Sequence, residues 1–128
     1  MHRDIKPSNV LVGVNCEAKL CDFGLIRTIS NQKEDGKLTD NIATRWYKAP
    51  ELLLSSCNYG KEIDVWSLGC LLGELYLGKP IFQGSSTFNQ LEKIIKITGI
   101  PNIDRISEII QSETSIAVLK SFINDYPP

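Results

Sequence analysis

Hydrophobic and polar positions change rhythm several times along the chain, and each change predicts an element. Val10-Leu11-Val12 is a short β-branched and apolar run closed by Gly13, and Ala18-Lys19-Leu20-Cys21 is a second run that follows the turn-forming Asn15. Two short strands joined by a tight turn are expected. Residues 28–41 are almost wholly polar, with Asn31, Gln32, Lys33, Glu34, Asp35, Gly36 and Lys37 in succession, which predicts a mobile surface loop. Thr44, Arg45, Trp46, Tyr47 and Pro50 then crowd into nine residues and predict a rigid ledge. Ile63, Val65, Trp66, Leu68, Leu71, Leu72, Leu75, Tyr76 and Leu77 make the next stretch apolar nearly all round. A helix buried on all sides is expected there, stopped by Gly78 and Pro80.

Further on, Phe88, Leu91, Ile94, Ile95 and Thr98 recur at helical spacing, with Gln90, Glu92, Lys93 and Lys96 on the other side. This is the pattern of an amphipathic helix ended by Gly99 and Pro101. Two weaker helical patterns follow, one carried by Ile103, Ile106 and Ile110 and one by Ile116, Leu119 and Phe122. The elements add up to a mainly α fold with one short β-hairpin.

Composition removes several functions from consideration. The chain has 128 residues, 42% hydrophobic and 23% charged, with a net charge of -1. That suits one ordinary domain or part of a larger one, and no basic tract invites nucleic acid. No apolar run approaches the roughly 18 residues of a membrane span, and charged residues directly after Met1 argue against a signal peptide. Cys16, Cys21, Cys57 and Cys70 form no Cys-x-x-Cys pair, and His2 is the only histidine. Free thiols in a reducing cytoplasmic or nuclear setting are expected.

Candidate chemistry lies between His2 and Gly24. Asp4 can accept a proton from an attacking hydroxyl. Asn9 and Asp22 offer the oxygen ligands that Mg²⁺ takes alongside phosphates. Asn9 precedes the first strand and Asp22 follows the second, so the hairpin should bring them together. A base and two metal ligands describe phosphoryl transfer.

His2-Arg3-Asp4-Ile5-Lys6-Pro7-Ser8-Asn9, Asp22-Phe23-Gly24 and Ala49-Pro50-Glu51, in that order, resemble the signature set of eukaryotic protein kinases. The run Ala43 to Glu51 resembles the substrate ledge of mitogen-activated protein kinases. Gly84 to Gly99 and the residues from Asn102 onward resemble the same group, in its atypical extracellular-signal-regulated branch. The resemblance extends over essentially the whole chain but covers only part of a kinase domain. It implies a partial C-terminal lobe of the α+β kinase fold with the N-terminal lobe absent. Residues 1–24 would be the catalytic loop, strands and metal-binding turn, and 25–51 the activation segment. Residues 61–78 would be the central helix, 86–99 the amphipathic helix and 101–128 the start of a helical insert.

The resemblance also implies roles. Asp4 would be the catalytic base and Lys6 would balance charge on the transferred phosphoryl group, as in Ser/Thr kinases. ATP and Mg²⁺ would be bound through Lys6, Ser8, Asn9, Leu11 and Asp22, with Asn9 and Asp22 on the metal and Leu11 beneath the adenine. Thr44 would hydrogen-bond toward Asp4 and Lys6. Thr39 would be a regulatory phosphosite held by Arg3 and Arg27. Arg45, Trp46, Tyr47 and Lys48 would form the substrate ledge, while His2, Phe23, Glu51 and Asp64 would be structural.

Protein substrates and an upstream kinase are the implied partners, with neither nucleic acid nor membrane among them. Two positions depart from the group's pattern. Asn41 stands where Thr-x-Tyr would put tyrosine, and Lys48 stands where arginine is common and lacks its planar fork. Both bear on how strictly proline is required after the phosphorylated residue.

The chain has no Gly-x-Gly-x-x-Gly loop and no Val-Ala-x-Lys strand. An inactive chain is therefore expected when it stands alone, with apolar area exposed on the central helix and a tendency to aggregate. A non-catalytic binding module, using Arg45 to Tyr47 and Phe88 to Thr98, is the alternative. A truncated kinase segment with no function of its own is another.

Overall fold

The computed structural model describes residues 1–26, 45–54, 56, 59–100, 102, 110 and 112–125, the side chains of 124 and 125 excepted. Thr39 and Thr44, Arg27 and Asn41, and the helical pattern of Ile103 and Ile106 lie outside the described residues. The β-hairpin pairs β1 (Val10–Val12) with β2 (Ala18–Leu20) antiparallel, in the register Val10 with Leu20, Leu11 with Lys19 and Val12 with Ala18. Four α-helices are described: α1 (Pro50–Leu53), α2 (Glu62–Leu77), α3 (Thr87–Thr98) and α4 (Glu113–Asp125). None is long and apolar enough to cross a membrane.

Local chemistry sets the helix ends. Proline opens α1, where its missing N–H costs nothing, and Ala49 before it is extended as the residue before proline prefers. Glu62 and Asp64 sit in the first turn of α2, near the positive end of its dipole. Gly78 ends α2 in the left-handed conformation at φ 70°, its N–H donating to the Glu74 carbonyl at 2.8 Å. Ser86 caps α3 by accepting from the Asn89 N–H at 3.1 Å.

Two apolar clusters hold the helices, and α3 contributes to both. Leu91 and Ile95 pack with Leu54, Ile110, Leu119 and Phe122, which ties α3 to α4 and to the end of α1. Ile94 packs instead with Tyr47, Cys70 and Phe82, which ties α3 to the ledge and to α2. The Phe122 ring of the first cluster also stacks on that of Phe88, with centroids 4.6 Å apart. The Ser115 hydroxyl donates to the Leu54 carbonyl at 2.7 Å and joins α4 to α1 directly.

Two expectations need correction. The helix read as buried on all sides is buried only at Ile63, Ser67 and Cys70. Val65, Leu68, Leu72, Leu75, Tyr76 and Leu77 are exposed, because no element of the described chain packs on that face. Exposed apolar area on this helix is the companion expectation, and the structure has it. Gln90, assigned to the polar side of α3, is instead fully buried, and its partners explain why.

Candidate active site

The site begins at a turn held from a distance. Arg3 takes a positive φ of 73°, which an L-residue adopts only where surrounding contacts hold it. The contacts come from α2. One oxygen of the Asp64 carboxylate accepts the His2 backbone N–H at 2.7 Å and the other accepts that of Arg3 at 2.8 Å. The buried His2 ring spans the turn as well: Nδ1 lies 3.3 Å from the Asp4 N–H and Nε2 lies 3.0 Å from the Cys21 carbonyl. The Nε2–H tautomer satisfies both bonds at once. Phe23 meets the His2 ring edge-on at 5.4 Å.

That anchoring delivers Asp4 inward, where it is 8% exposed. Pro7–Asn9 forms a 3-10 turn that folds the Asn9 side chain back over Asp4. The Asn9 amide nitrogen donates to the Asp4 backbone carbonyl at 2.8 Å and to Asp4 Oδ2 at 3.2 Å. Lys6 Nζ reaches the same Oδ2 at 2.7 Å. One oxygen of Asp4 is thus held by a cation and an amide. The other, Oδ1, accepts no hydrogen bond among the described residues. Ser8 is exposed beside them.

The hairpin closes the arrangement. The Cys21 N–H donates to the Asn9 carbonyl at 2.9 Å, which sets Asp22 beside the Asn9 turn. Asp22 has a positive φ of 63° and is exposed, with its carboxylate accepting a long 3.4 Å bond from the Gly24 N–H. Asn9 turns its NH₂ toward Asp4, so its amide oxygen is the atom left to meet a cation. An amide oxygen and an open carboxylate are hard oxygen donors, so the residues present fit Mg²⁺. Leu11 is exposed on β1.

The ledge packs against this turn. Arg3, Asp4, Ile5, Tyr47, Lys48, Leu52, Ile63 and Ser67 together line a small cavity between the two. Arg45 is buried, and its guanidinium donates to the Ser85 carbonyl at 3.3 Å. Trp46 Nε1 donates to the Gly84 carbonyl at 3.1 Å. Tyr47 donates its hydroxyl to Glu74 at 2.5 Å, and its carbonyl accepts from the Ser67 hydroxyl at 2.7 Å. Burial raises the Tyr47 phenol far above its ordinary value, and the Glu74 hydrogen bond and charge push it the same way. Lys48 is half-buried. Glu51, at the start of α1, has its carboxyl raised chiefly by burial, with the charge of Glu62 adding and its own backbone N–H opposing.

Sequence reasoning missed Ser67, Glu74 and Gln90, all three of which hold the ledge. Spacing contains a signal for two of them. Asp64, Ser67 and Glu74 recur at three and seven residues, so they fall on one face of α2.

Residues 1–127 match the protein kinase domain. The chain belongs to the protein kinase family. Its sequence is a segment of that catalytic domain, similar to mitogen-activated and extracellular signal-regulated kinases. It is 53% identical over 112 residues to extracellular signal-regulated kinase 7 of Drosophila melanogaster, which is 83% of this chain and 12% of that protein. It is 50% identical over 122 residues to mitogen-activated protein kinase 15 of Xenopus laevis, covering 93% of this chain and 21% of the frog protein. It is also 50% identical over 111 residues to mitogen-activated protein kinase MPS1 of Pyricularia oryzae, covering 85% and 27%. The chain therefore spans well under a third of the curated relatives it matches.

Proposed function

We propose that this chain is the base, metal-ligand and substrate-ledge portion of a mitogen-activated Ser/Thr protein kinase, within the C-terminal lobe. The reaction moves the γ-phosphoryl group of ATP to a Ser or Thr hydroxyl, with proline preferred next in the substrate. The observation that carries this reading is the asymmetry of Asp4: Oδ2 is held by Lys6 and Asn9 while Oδ1 accepts nothing among the described residues. A carboxylate oriented in this way accepts the hydroxyl proton as the oxygen attacks, and Lys6 stands next to where negative charge gathers. Mg²⁺, when bound through Asn9 and Asp22, neutralises phosphate charge. Ser8 and Leu11 border the nucleotide, and Thr44 completes the contact with Asp4 and Lys6.

Regulation in this reading runs through Thr39. An upstream kinase phosphorylates it, and Arg3 and Arg27 receive the phosphate. The ATP-covering residues are not in this sequence, so the chain alone turns over slowly or not at all. Cytoplasmic or nuclear residence accords with the free thiols of Cys16, Cys21 and Cys70.

The test is a graft. This chain replaces the matching residues of the Xenopus laevis kinase, and the hybrid is assayed on a Ser-Pro peptide with Mg·ATP. Activity is expected, and Asp4→Asn should lower kcat by about 10²–10⁴. A hybrid indifferent to Asp4→Asn overturns the assignment of the base. The chain alone, assayed in parallel, should fall far below the roughly 1–100 s⁻¹ of protein kinases. Turnover in that range overturns the claim that it needs a cover.

A further inference from the structure

Gln90 is an amide at 0% exposure, centred between the two apolar clusters that α3 joins. Burying such a group is costly unless every polar atom is matched. Both ends of the amide are matched, and both partners are backbone. Its Oε1 accepts the Gly84 N–H at 2.8 Å, and its Nε2 donates to the Trp46 carbonyl at 3.3 Å. Trp46 returns the connection by donating its indole N–H to the Gly84 carbonyl at 3.1 Å. The three residues therefore form a closed ring of hydrogen bonds in which Trp46 is fixed by its carbonyl and its side chain together. Gly84 has no alternative residue here, since a Cβ would fall 2.4–2.6 Å from the side chain and backbone of Gln90.

We propose that Gln90 is a positioning residue for substrate selection: its amide sets the Trp46 backbone and so the shape of the ledge that receives the residue after the phosphorylated Ser or Thr. The inference rests on the reading of Arg45 to Lys48 as that ledge. It adds a route by which α4 and α3 bear on specificity. Phe122 and Leu119 of α4 pack on Leu91 and Ile95, Gln90 sits one residue before Leu91, and Gln90 holds Trp46. On the far side of Trp46, Ser67 and Glu74 of α2 fix Tyr47. With residue 47 held from one side, the carbonyl of residue 46 is the adjustable joint, and the Gln90 donor controls it. Gln90→Glu keeps the acceptor for Gly84 but turns a lone pair toward the Trp46 carbonyl. Gln90→Met keeps the length of the side chain and removes both bonds without burying a charge.

The experiment uses the full 128-residue chain, titrated by NMR with a Ser-Pro peptide and a matched Ser-Ala peptide. Wild type should favour the proline peptide. Gln90→Met and Gln90→Glu should reduce that preference by about three- to tenfold, the value of one hydrogen bond, while binding of the Ser-Ala peptide changes little. The indole signals supply the second readout. The chain has two tryptophans, and Trp46 donates to Gly84 whereas the buried Trp66 nitrogen meets no acceptor among the described residues. The Trp46 indole signal should move in both variants and the Trp66 signal should stay. Gln90→Met covers the case in which the buried charge of Gln90→Glu unfolds the chain. A folded Gln90→Met variant with undiminished proline preference overturns the inference and leaves the ledge reading standing. A wild-type chain without proline preference overturns the ledge reading, and the inference with it.

Discussion

Removing the Asp64 carboxylate should release the turn from His2 to Asp4, and the structure gives the scale of the loss. The carboxylate takes two backbone N–H groups, from His2 at 2.7 Å and Arg3 at 2.8 Å. Hydrogen bonds to a charged group contribute about 1.5–3 kcal/mol each. Arg3 also sits at φ 73°, a conformation that costs an L-residue about 1–2 kcal/mol and persists only while it is held. In Asp64→Ala, both N–H groups lose their acceptor. Water reaches them in part, since both are only partly buried, and Arg3 recovers its strain by relaxing. The net loss should be about 2–4 kcal/mol, a large share of the roughly 5–15 kcal/mol a domain possesses. At about 4 °C per kcal/mol for a chain of this length, the melting midpoint should fall by about 8–16 °C. Asp64→Asn should lose nearly as much, because its NH₂ faces one of the two N–H donors. Thermal melts and amide exchange at His2 and Arg3 measure both variants. An unchanged midpoint with both amides still protected would refute the reasoning.

Four further outcomes follow from the same geometry. Burial raises the Glu51 carboxyl, so Glu51 favours the fold below its ordinary value of 4.5 and loses that contribution as pH rises through its raised value. Glu51→Gln should therefore stabilise the chain at pH 7, with the gain vanishing near pH 4 in urea titrations; a loss at pH 7 would contradict this. Cys70 is buried and its thiol is pushed up to about 11, mainly by burial, whereas Cys16 is exposed. At pH 8 iodoacetamide should label Cys16 and spare Cys70 in mass-spectrometric mapping, and equal labelling would show that α2 opens. Leu72→Lys changes an exposed position and should raise solubility while moving stability by no more than about 0.5 kcal/mol. Phe122→Ala removes a ring that is 1% exposed and stacked on Phe88; it should cost about 3–5 kcal/mol in a denaturant titration, and less than 1 would mean α4 does not depend on α3.

What was legible in the sequence was local. The hairpin showed in two short runs on either side of Gly13, the first of them β-branched, and α3 showed in the spacing of Leu91, Ile94 and Ile95 with Gly99 after it. The residues at the candidate base were legible as an ordered set of motifs, though not the fact that Asp4 keeps one oxygen bound and one open. Gln90 was illegible by periodicity because a polar residue on a helix is read as solvated. Only its two backbone partners, one of them 44 residues away, make its burial affordable. The clamp of Asp64 on Arg3 spans 61 residues, and no spacing rule reaches that far. The resemblance gave Asp64 a structural role; its bond to Arg3 and the positive φ that bond restrains came only from the structure.

The misreading of α2 has a single cause that also explains its place in the site. Asp64, Ser67, Cys70 and Glu74 lie on successive turns of one face, and three of the four are polar. That face is turned inward, because Asp64 holds the turn at His2 while Ser67 and Glu74 hold Tyr47. The opposite face, from Val65 through Leu68 and Leu72 to Leu75, is apolar and exposed. A surface helix ordinarily shows the reverse. Polar residues on the inner face and apolar residues on the outer one leave a pattern with no preferred side, which reads as burial all round. The inversion is physical: the inner face is chosen for backbone hydrogen bonds that fix two separate segments at once. Those bonds, together with packing at Ile63 and Cys70, are what let one helix set the Asp4 turn and the Trp46–Tyr47 segment in a common frame.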